Sequence, residues 1–365
     1  MKYIDEFRDA KLVKKFAQRI KRIAPSRSIN IMEVCGTHTQ SFFRFGLDEL
    51  MPKNLRLIAG PGCPVCVSSQ EYIDNAIKLA QQKDTLILTF GDMLRIPGTQ
   101  STLEREKTKF GNVRVVYSAL DSLKAARLNP DKKIIFLAVG FETTAPTIAL
   151  SIIAAKKERL NNLFFYSSLK LIPPAMDYLI QDERLNLDAF LCPGHVSAVI
   201  GTTAYEFIPR RYKIGCCVAG FEPLDILEGI YLLLEQIAEN KPQVQNQYAR
   251  VVKRTGNARA LSIMHKVFEE SGADWRGFGV IPKSGLKIRK EFSQFDAGKV
   301  FSIKRATGNG QRATKCKCGD VLKGLISPRS CPLFARACAP ANPIGPCMVS
   351  SEGACNAYFK FKIEN

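Results

Sequence analysis

The chain has 365 residues, of which 46% are hydrophobic and 24% are charged, a composition typical of a globular protein with two or three domains. The best candidate for a membrane span, residues 134–155, contains Glu142 and Pro146, and no secretory leader is recognisable, so we expect a cytoplasmic protein without a membrane partner. The net charge of +19 comes from basic residues interleaved with acidic ones, which favours an acidic protein partner over nucleic acid.

The chain begins with a helical pattern and continues with repeated strand–loop–helix units. Apolar residues near helical spacing in residues 1–24 predict a helix that packs on the body of the protein. Eight short apolar segments follow, each leading into a polar loop: 28–34, 55–59, 85–90, 113–117, 134–139, 163–166, 189–191 and 214–219. This spacing predicts an α/β protein with parallel sheets.

We expect two doubly wound parallel-sheet domains, residues 25–128 and 129–240, plus a smaller iron–sulfur cluster domain. The turn signal Asn129-Pro130-Asp131 supports the boundary between the first two. A single eight-stranded barrel is the alternative. In both arrangements the polar loops lie at the carboxyl ends of the strands, where such folds build their sites.

Residues 241–365 are predicted to form the third domain, which is helical at first and then rich in cysteine. Six of the twelve cysteines lie in its last part, at positions 316, 318, 331, 338, 347 and 355. Twelve cysteines in a cytoplasmic chain indicate metal or redox chemistry rather than a disulfide framework. Zinc would require a second close pair, so dispersed thiolates favour an iron–sulfur cluster. Spacing does not decide which two of the six are spare; one choice of ligands is Cys316, Cys331, Cys338 and Cys355.

The segment RLIAGPGCPVCVSSQE, residues 56–71, predicts a strand, a tight turn and a helix that begins at Cys63. A helix N-terminus lowers the pKa of nearby thiols, so Cys63 and Cys66 are predicted to exchange between thiol and disulfide. An incidental pair is the alternative.

Cys35 and His38 lie in the loop after the first predicted strand. A thiolate beside an imidazole suits a soft metal ion such as low-spin iron, or a nucleophilic cysteine. A buried structural cysteine is the alternative for Cys35.

Several other polar residues occupy strand-end loops. Each is a candidate general base or hydrogen-bond anchor, and each could instead cap the helix that follows: Asp92, Glu142, His195 and Glu222. Four residues within apolar segments are predicted to be structural: Cys192, Cys216, Cys217 and His265. The chain contains no Walker A loop and no GxGxxG motif, so we assign no nucleotide site.

Six motifs together resemble the HypD family of [NiFe]-hydrogenase maturation factors, in order and over nearly the whole chain. They are MEVCGTHT (32–39), GPGCPVC (60–66), GFETTAP (140–146), PGHVSAVIG (193–201), GFEPLDIL (220–227) and GPCMVSSEGAC (345–355). The resemblance implies two α/β domains and a third that holds a [4Fe-4S] cluster. It also implies a redox-active scaffold, rather than a conventional enzyme, on which Fe(II) receives carbon monoxide and two cyanides before delivery to the hydrogenase large subunit.

The resemblance also implies roles for particular residues and partners. Cys35 would bind the iron of the Fe(CN)2CO unit beside His38, and Cys63 and Cys66 would be the redox pair. The cluster ligands would be Cys316, Cys331, Cys338 and Cys355. The partners would be a HypC-type chaperone, whose N-terminal cysteine shares the iron, and a HypE-type protein, which carries cyanide as a thiocyanate on its C-terminal cysteine. The alternative function is an iron–sulfur-linked disulfide reductase.

Overall fold

The computed structural model describes residues 4–303 and 315–363. Its strands are β1 (Ile29–Glu33), β2 (Leu55–Ala59), β3 (Thr85–Thr89), β4 (Val113–Val115), β5 (Lys133–Gly140), β6 (Leu163–Leu169), β7 (Ala189–Pro193), β8 (Gly215–Ala219), β9 (Val244–Asn246), β10 (Phe268–Trp275) and β11 (Gly279–Ile288). They form two parallel sheets and one antiparallel hairpin. Sheet 1 has the order β2-β1-β7-β8-β9, sheet 2 has the order β4-β3-β5-β6, and the hairpin is β10-β11.

The helices connect these strands and cover both sheets. They are α1 (Ala10–Ile23), α2 (Gly36–Arg44), α3 (Leu47–Leu50), α4 (Gln70–Ala80), α5 (Leu103–Phe110), α6 (Asp121–Leu128), α7 (Ala145–Lys157), α8 (Ile172–Ile180), α9 (Gly194–Ile200), α10 (Phe207–Tyr212), α11 (Pro223–Glu239), α12 (Ala258–Val267), α13 (Ala297–Val300), α14 (Cys318–Leu322), α15 (Pro346–Val349) and α16 (Ala354–Lys362). Within the described ranges, none combines the length and the apolar character that crossing a bilayer requires.

The α/β class with two doubly wound-like parallel sheets is confirmed, and all eight predicted strands occur as β1 to β8. The segment KIIFLAVG of β5 explains why such strands form, since every residue after Lys133 is buried. Continuous apolar runs of this kind are typical of strands that are covered by helices on both faces. The eight predicted strands divide between two separate sheets instead of closing into one, so the barrel alternative is wrong.

The strand order corrects the predicted boundary between residues 128 and 129. β1 and β2 belong to the same sheet as β7 and β8, and all four strands of sheet 2 lie between β2 and β7 along the chain. Ile31 of β1 pairs with Ala189 of β7. The turn at residues 129–131 leads into β5 within sheet 2. A turn signal reports local backbone geometry, whereas strand pairing depends on packing between distant segments.

The expectation of a helical stretch after residue 241 is also corrected. β9 extends sheet 1, and the hairpin β10-β11 follows the short helix α12. Trp275 anchors the hairpin because its buried ring stacks against Phe141 with centroids 6.0 Å apart, and its Nε1 donates to Ser284 Oγ at 2.7 Å. A buried indole that keeps a hydrogen-bond partner fixes the hairpin on the core.

The N-terminal helix α1 packs on α11, in agreement with the role expected for residues 1–24. Asp9 caps α1 by accepting from the backbone N–H groups of Lys11 and Leu12. Ile20 is fully buried, and Phe16 meets Tyr231 of α11 edge to face. Residues 1–3 lie outside the described ranges.

Candidate thiol and metal site

Three cysteine-bearing segments meet at the carboxyl edge of sheet 1. β1 leads to Cys35 and its neighbour β2 leads to the turn of Cys63 and Cys66, and parallel pairing of β1 with β2 brings both loops to one edge. Gly36 N donates to Gly62 O at 3.3 Å. A Cβ at Gly62 would lie 2.3 Å from Cys35 N, and a Cβ at Gly36 would lie 2.2 Å from Glu352 O of the cysteine tail. Both glycines are therefore needed for the close approach of the three segments.

Cys35 occupies the N-cap position of α2 and is 8% exposed. Burial raises the pKa of its thiol to about 12, and the nearby carboxyl group of Glu352 acts in the same direction. Hydrogen bonding to Thr37 partly opposes them. Without a bound cation Cys35 is therefore a thiol at neutral pH, and a metal ion at its sulfur would displace the proton.

His38 lies in the first turn of α2 and is completely buried. Its Nε2 donates to the carbonyl oxygens of Ala219, the last residue of β8, at 3.2 Å and of the following Gly220 at 2.9 Å. Burial is the main reason that its pKa is lowered to about 4. The ring is therefore neutral with its hydrogen on Nε2. Its Nδ1 is buried without a hydrogen-bond partner among the described residues, so that nitrogen has a lone pair available for a ligand.

The Cys63–Cys66 motif forms a turn rather than the start of a helix, which corrects the predicted helix boundary. Val67 N donates to Cys63 O at 3.3 Å, and helix α4 begins only at Gln70. Ser69 is the N-cap of that helix, since its side chain accepts from Tyr72 N. Serine is a stronger N-cap than the residues of the Cys-Pro-Val-Cys segment.

The two thiols of this turn are in contact and away from water. The Sγ atoms of Cys63 and Cys66 are 2.8 Å apart, and Cys66 N donates to Cys63 Sγ at 3.3 Å. Their exposed fractions are 2% and 0%. Burial raises the pKa of Cys66 well above its usual value. The predicted lowering of the thiol pKa is therefore wrong for Cys66, because desolvation outweighs any effect of a helix end one turn further along the chain.

Cys347 connects this turn to the cysteine tail. Its thiol is close enough to interact with the thiols of Cys66, Cys318 and Cys355, and Cys66 Sγ lies 3.8 Å from the carbonyl oxygen of Pro346, the residue before Cys347. Cys318 in turn contacts Cys316. We refer to the resulting sequence of contacts, Cys63–Cys66–Cys347–Cys318–Cys316, as the thiol series. Two cysteines that spacing left without a role, Cys318 and Cys347, thus lie between the Cys63–Cys66 turn and the rest of the tail.

The tail cysteines suit an iron–sulfur cluster by their chemistry. Cys338 lies close enough to Cys316 and Cys355 for their charges to interact, and its sulfur accepts a hydrogen bond from Ile344 N at 3.3 Å. Cys331 begins the turn that closes at Cys338. Buried thiols with backbone N–H donors are the environment that such clusters use. In residues 4–303 and 315–363, however, no three His, Cys, Asp or Glu side chains already have the arrangement of metal ligands.

Two of the predicted strand-end acids have different surroundings. Glu222 caps α11 in a capping box with Asp225 and pairs with Arg8, which agrees with the helix-cap alternative. Glu142 is 1% exposed, and its Oε1 accepts from Ile172 N at 2.9 Å. Its Oε2 has no hydrogen-bond partner in the described part of the chain, and burial raises its pKa to about 7. Glu142 therefore carries a proton over part of the neutral range.

The other two strand-end residues lie against aromatic or tail residues. His195 stacks on Phe221 with ring centroids 3.9 Å apart, and Phe221 also contacts the His38 ring at 4.7 Å. Asp92 accepts from Ser350 Oγ at 2.6 Å and so joins the loop after β3 to the tail. These contacts fix the positions of His195 and Asp92 but do not identify either residue as a general base.

Sequence reasoning missed two acids beside Cys35. Glu33 is buried inside β1, where Thr39 Oγ1 donates to its Oε1, and burial raises its pKa to about 8. Glu352 accepts from Thr37 Oγ1 at 2.8 Å. An acidic residue between Met32 and Val34 in the first predicted strand was the available signal for Glu33. No local signal existed for Glu352, because it reaches Cys35 only through the fold.

Comparison with known proteins gives full-length matches. The model of the hydrogenase formation hypA family (HypD) matches residues 11–362. The chain is 42% identical over 369 residues to the hydrogenase maturation factor HypD of Azotobacter vinelandii, covering 99% of this chain and 97% of the relative. It is 41% identical over 370 residues to that of Cupriavidus necator, covering 99% and 97%. It is 40% identical over 369 residues to that of Escherichia coli K12, covering 99% and 98%.

Proposed function

The chain belongs to the HypD family of hydrogenase maturation factors, and from that premise we propose that it is the scaffold on which the Fe(CN)2CO unit of the [NiFe] site is assembled. The single observation that carries this proposal is the meeting of three cysteine-bearing segments, with Cys347 contacting both Cys66 and two other tail thiols. A scaffold of this kind must hold iron and supply electrons in one place, and the arrangement of thiols suits both tasks.

Cys35 is the proposed ligand for the iron that is being modified. Cyanide and carbon monoxide favour low-spin Fe(II), which binds well to a soft thiolate. Iron binding would take the place of the Cys35 proton, and the carboxyl group of Glu352 is a nearby oxygen acceptor for it. His38 presents an unpaired Nδ1 from the same helix and is the proposed neighbouring donor. A HypC-type chaperone would contribute a second thiolate from its N-terminal cysteine.

Cys63 and Cys66 are the proposed electron donors for cyanide release. A HypE-type partner would present a thiocyanate, R–S–CN, and breaking its S–C bond takes up two electrons and one proton to give R–SH and CN⁻. Oxidation of the two thiols to a disulfide releases two electrons and two protons, so one proton is left for solvent. The 2.8 Å contact between the two sulfurs supports this use.

The tail cysteines would return the pair to the dithiol. A [4Fe-4S] cluster held by Cys316, Cys331, Cys338 and Cys355 would supply single electrons from an external donor. Cys347 and Cys318 lie next to Cys66 and Cys316 in the thiol series and are the proposed exchange partners between them.

The disulfide reductase alternative is less well supported by the surroundings of the Cys63–Cys66 turn. An enzyme that reduces disulfides of other proteins presents its attacking sulfur to solvent. Cys63 and Cys66 are buried, and the tail packs over them through Cys347. A small electrophile delivered within a complex fits this surrounding better than a protein disulfide.

Infrared spectroscopy of the anaerobically purified complex with a HypC-type partner tests the proposal. We expect CN and CO stretching bands in the wild type and their loss in Cys35→Ala. Cys217→Ala is the matched control, because it removes an equally buried thiol from β8, outside the thiol series. Bands that persist in Cys35→Ala would exclude Cys35 as the iron ligand, and their absence from the wild-type complex would contradict the scaffold.

A further inference from the structure

Arg276 joins the Cys63–Cys66 turn to the hairpin. It follows β10, and its guanidinium Nε donates to Ser68 O at 2.8 Å while Nη1 donates to Gln70 Oε1 at 3.0 Å. Its backbone N–H donates to Val67 O at 2.9 Å. All three acceptors lie within four residues of Cys66, so Arg276 is fixed against the segment that follows the redox pair.

The other side of the same loop packs on the cysteine tail. A Cβ at Gly277 would lie 2.4 Å from Gly319 Cα, and Gly277 has φ +85°, a conformation that favours glycine. Gly319 is adjacent to Cys318 in α14. The loop of Arg276 therefore lies between the two cysteine segments and touches both.

The charge of Arg276 acts on the tail thiols. Arg276 is close enough to the Cys316 thiol for its charge to act on that sulfur. Its charge also acts on Cys318. In addition, Arg276 Nη2 is buried without a hydrogen-bond partner among the described residues. A buried guanidinium N–H normally has an acceptor, and thiolate sulfur is an acceptor suited to a cation.

We propose that Arg276 is a positioning residue for an iron–sulfur cluster bound by the tail cysteines. Its Nη2, which has no partner among the described residues, would donate a hydrogen bond to the Cys316 thiolate when that sulfur binds the cluster. This inference rests on the proposed function, because it takes Cys316 as a cluster ligand. A positive charge and a hydrogen bond at a ligand sulfur stabilise the reduced, more negative form of a cluster and raise its reduction potential. Arg276 thereby favours electron storage beside the redox pair, since its other two nitrogens are hydrogen-bonded to Ser68 and Gln70, which follow that pair in the chain.

The experiment compares midpoint potentials of the full-length protein after anaerobic reconstitution with iron and sulfide. The variants are Arg276→Gln, Arg276→Lys and the control Lys360→Gln, which removes one positive charge from an exposed position of α16. We expect unchanged iron and sulfide content in all four proteins. The midpoint potential should be lowest in Arg276→Gln, intermediate in Arg276→Lys, and equal to that of the wild type in Lys360→Gln. The shift of the Fe–S Raman bands in D2O should decrease in both Arg276 variants.

The outcomes separate the inference from the proposed function. Equal potentials and equal D2O shifts in wild type and Arg276→Gln, with the cluster present, would overturn the role of Arg276 alone. If Arg276→Gln takes up no cluster, Arg276→Lys is compared with wild type instead. Equal potentials and equal D2O shifts in those two proteins would then overturn the role of Arg276. A wild type that binds no iron and sulfide would overturn both proposals.

Discussion

Two groups of cysteines differ in where they lie in the fold. Cys192, Cys216 and Cys217 lie inside β7 and β8, whereas Cys35 and the thiol series lie in loops and in the tail. Thiol contact does not distinguish the groups, since Cys192 also contacts Cys216. Cys35 differs from the strand cysteines because the carboxyl group of Glu352 lies nearby, and Cys63 and Cys66 differ because they lie in a turn rather than in a strand. Position outside the strands, rather than thiol contact, is therefore what separates the cysteines with a proposed role from the strand cysteines.

The largest effect is expected from breaking the thiol series at its centre. In Cys347→Ser the side chain keeps its size but cannot exchange with a disulfide. Reduction of a preformed Cys63–Cys66 disulfide by the cluster-loaded protein should be abolished, as followed by alkylation and mass spectrometry after addition of a one-electron donor. Cys217→Ser should react at the wild-type rate. Wild-type kinetics in Cys347→Ser would remove Cys347 from the route.

The next largest effect is expected where the segments approach each other. Gly36→Ala places a Cβ 2.2 Å from Glu352 O, so the tail or the Cys35 loop must move. Overpacking of this kind costs about 1–3 kcal/mol in the free energy of unfolding. Urea unfolding measures the loss, and Gly111→Ala provides the comparison because a Cβ there meets nothing within 4 Å, although its positive φ adds strain. A Gly36→Ala variant as stable as wild type would indicate that the two segments do not touch.

A pH-dependent effect is expected from Glu142, a buried acid outside both cysteine groups. Its folded-state pKa of about 7 lies above the unfolded value of 4.5, so between these pH values the folded protein binds more protons than the unfolded chain. Its contribution to stability is therefore lost as pH rises from 4.5 to about 7, by about 3 kcal/mol at most.

Glu142→Gln removes this proton uptake and keeps an oxygen acceptor for Ile172 N. The difference in unfolding free energy, variant minus wild type, should rise between pH 4.5 and 7 and level off above that range. Urea unfolding at several pH values measures it. A difference that is constant with pH would mean that Glu142 titrates normally.

The smallest effect is expected from the strand cysteines. Cys217→Ala removes one sulfur from the apolar core and should cost about 1 kcal/mol in unfolding free energy, with no change in iron, sulfide or infrared bands. Thermal unfolding and metal analysis check this result. Loss of the CN and CO infrared bands in Cys217→Ala would show that a strand cysteine is required for iron binding. The distinction between the strand cysteines and the other cysteines would then be wrong.

The sequence predicted the strands and the loops that carry Cys35 and the Cys63–Cys66 turn because these depend on local patterns. The apolar run of β5 and the polar loop of Cys35 are recognisable without the fold. The predicted boundary between the two α/β domains was wrong because the pairing of β1 with β7 joins segments that are far apart in the chain. The predicted lowering of the Cys66 pKa was wrong because the burial that raises it comes from tertiary packing. Cys347 and Glu352 gained roles only from the residues that surround them in the folded chain.

The most direct test of the central claim is disulfide trapping between Cys66 and Cys347. The protein retains these two cysteines and carries Ala at positions 63, 318 and 355, which removes the competing thiols around them. Mild oxidation of the metal-free protein should link Cys66 to Cys347, as detected by mass spectrometry of the joined peptides. Both thiols remaining free to alkylation, under conditions that oxidise Cys63 and Cys66 in the wild type, would contradict the contact on which the account depends.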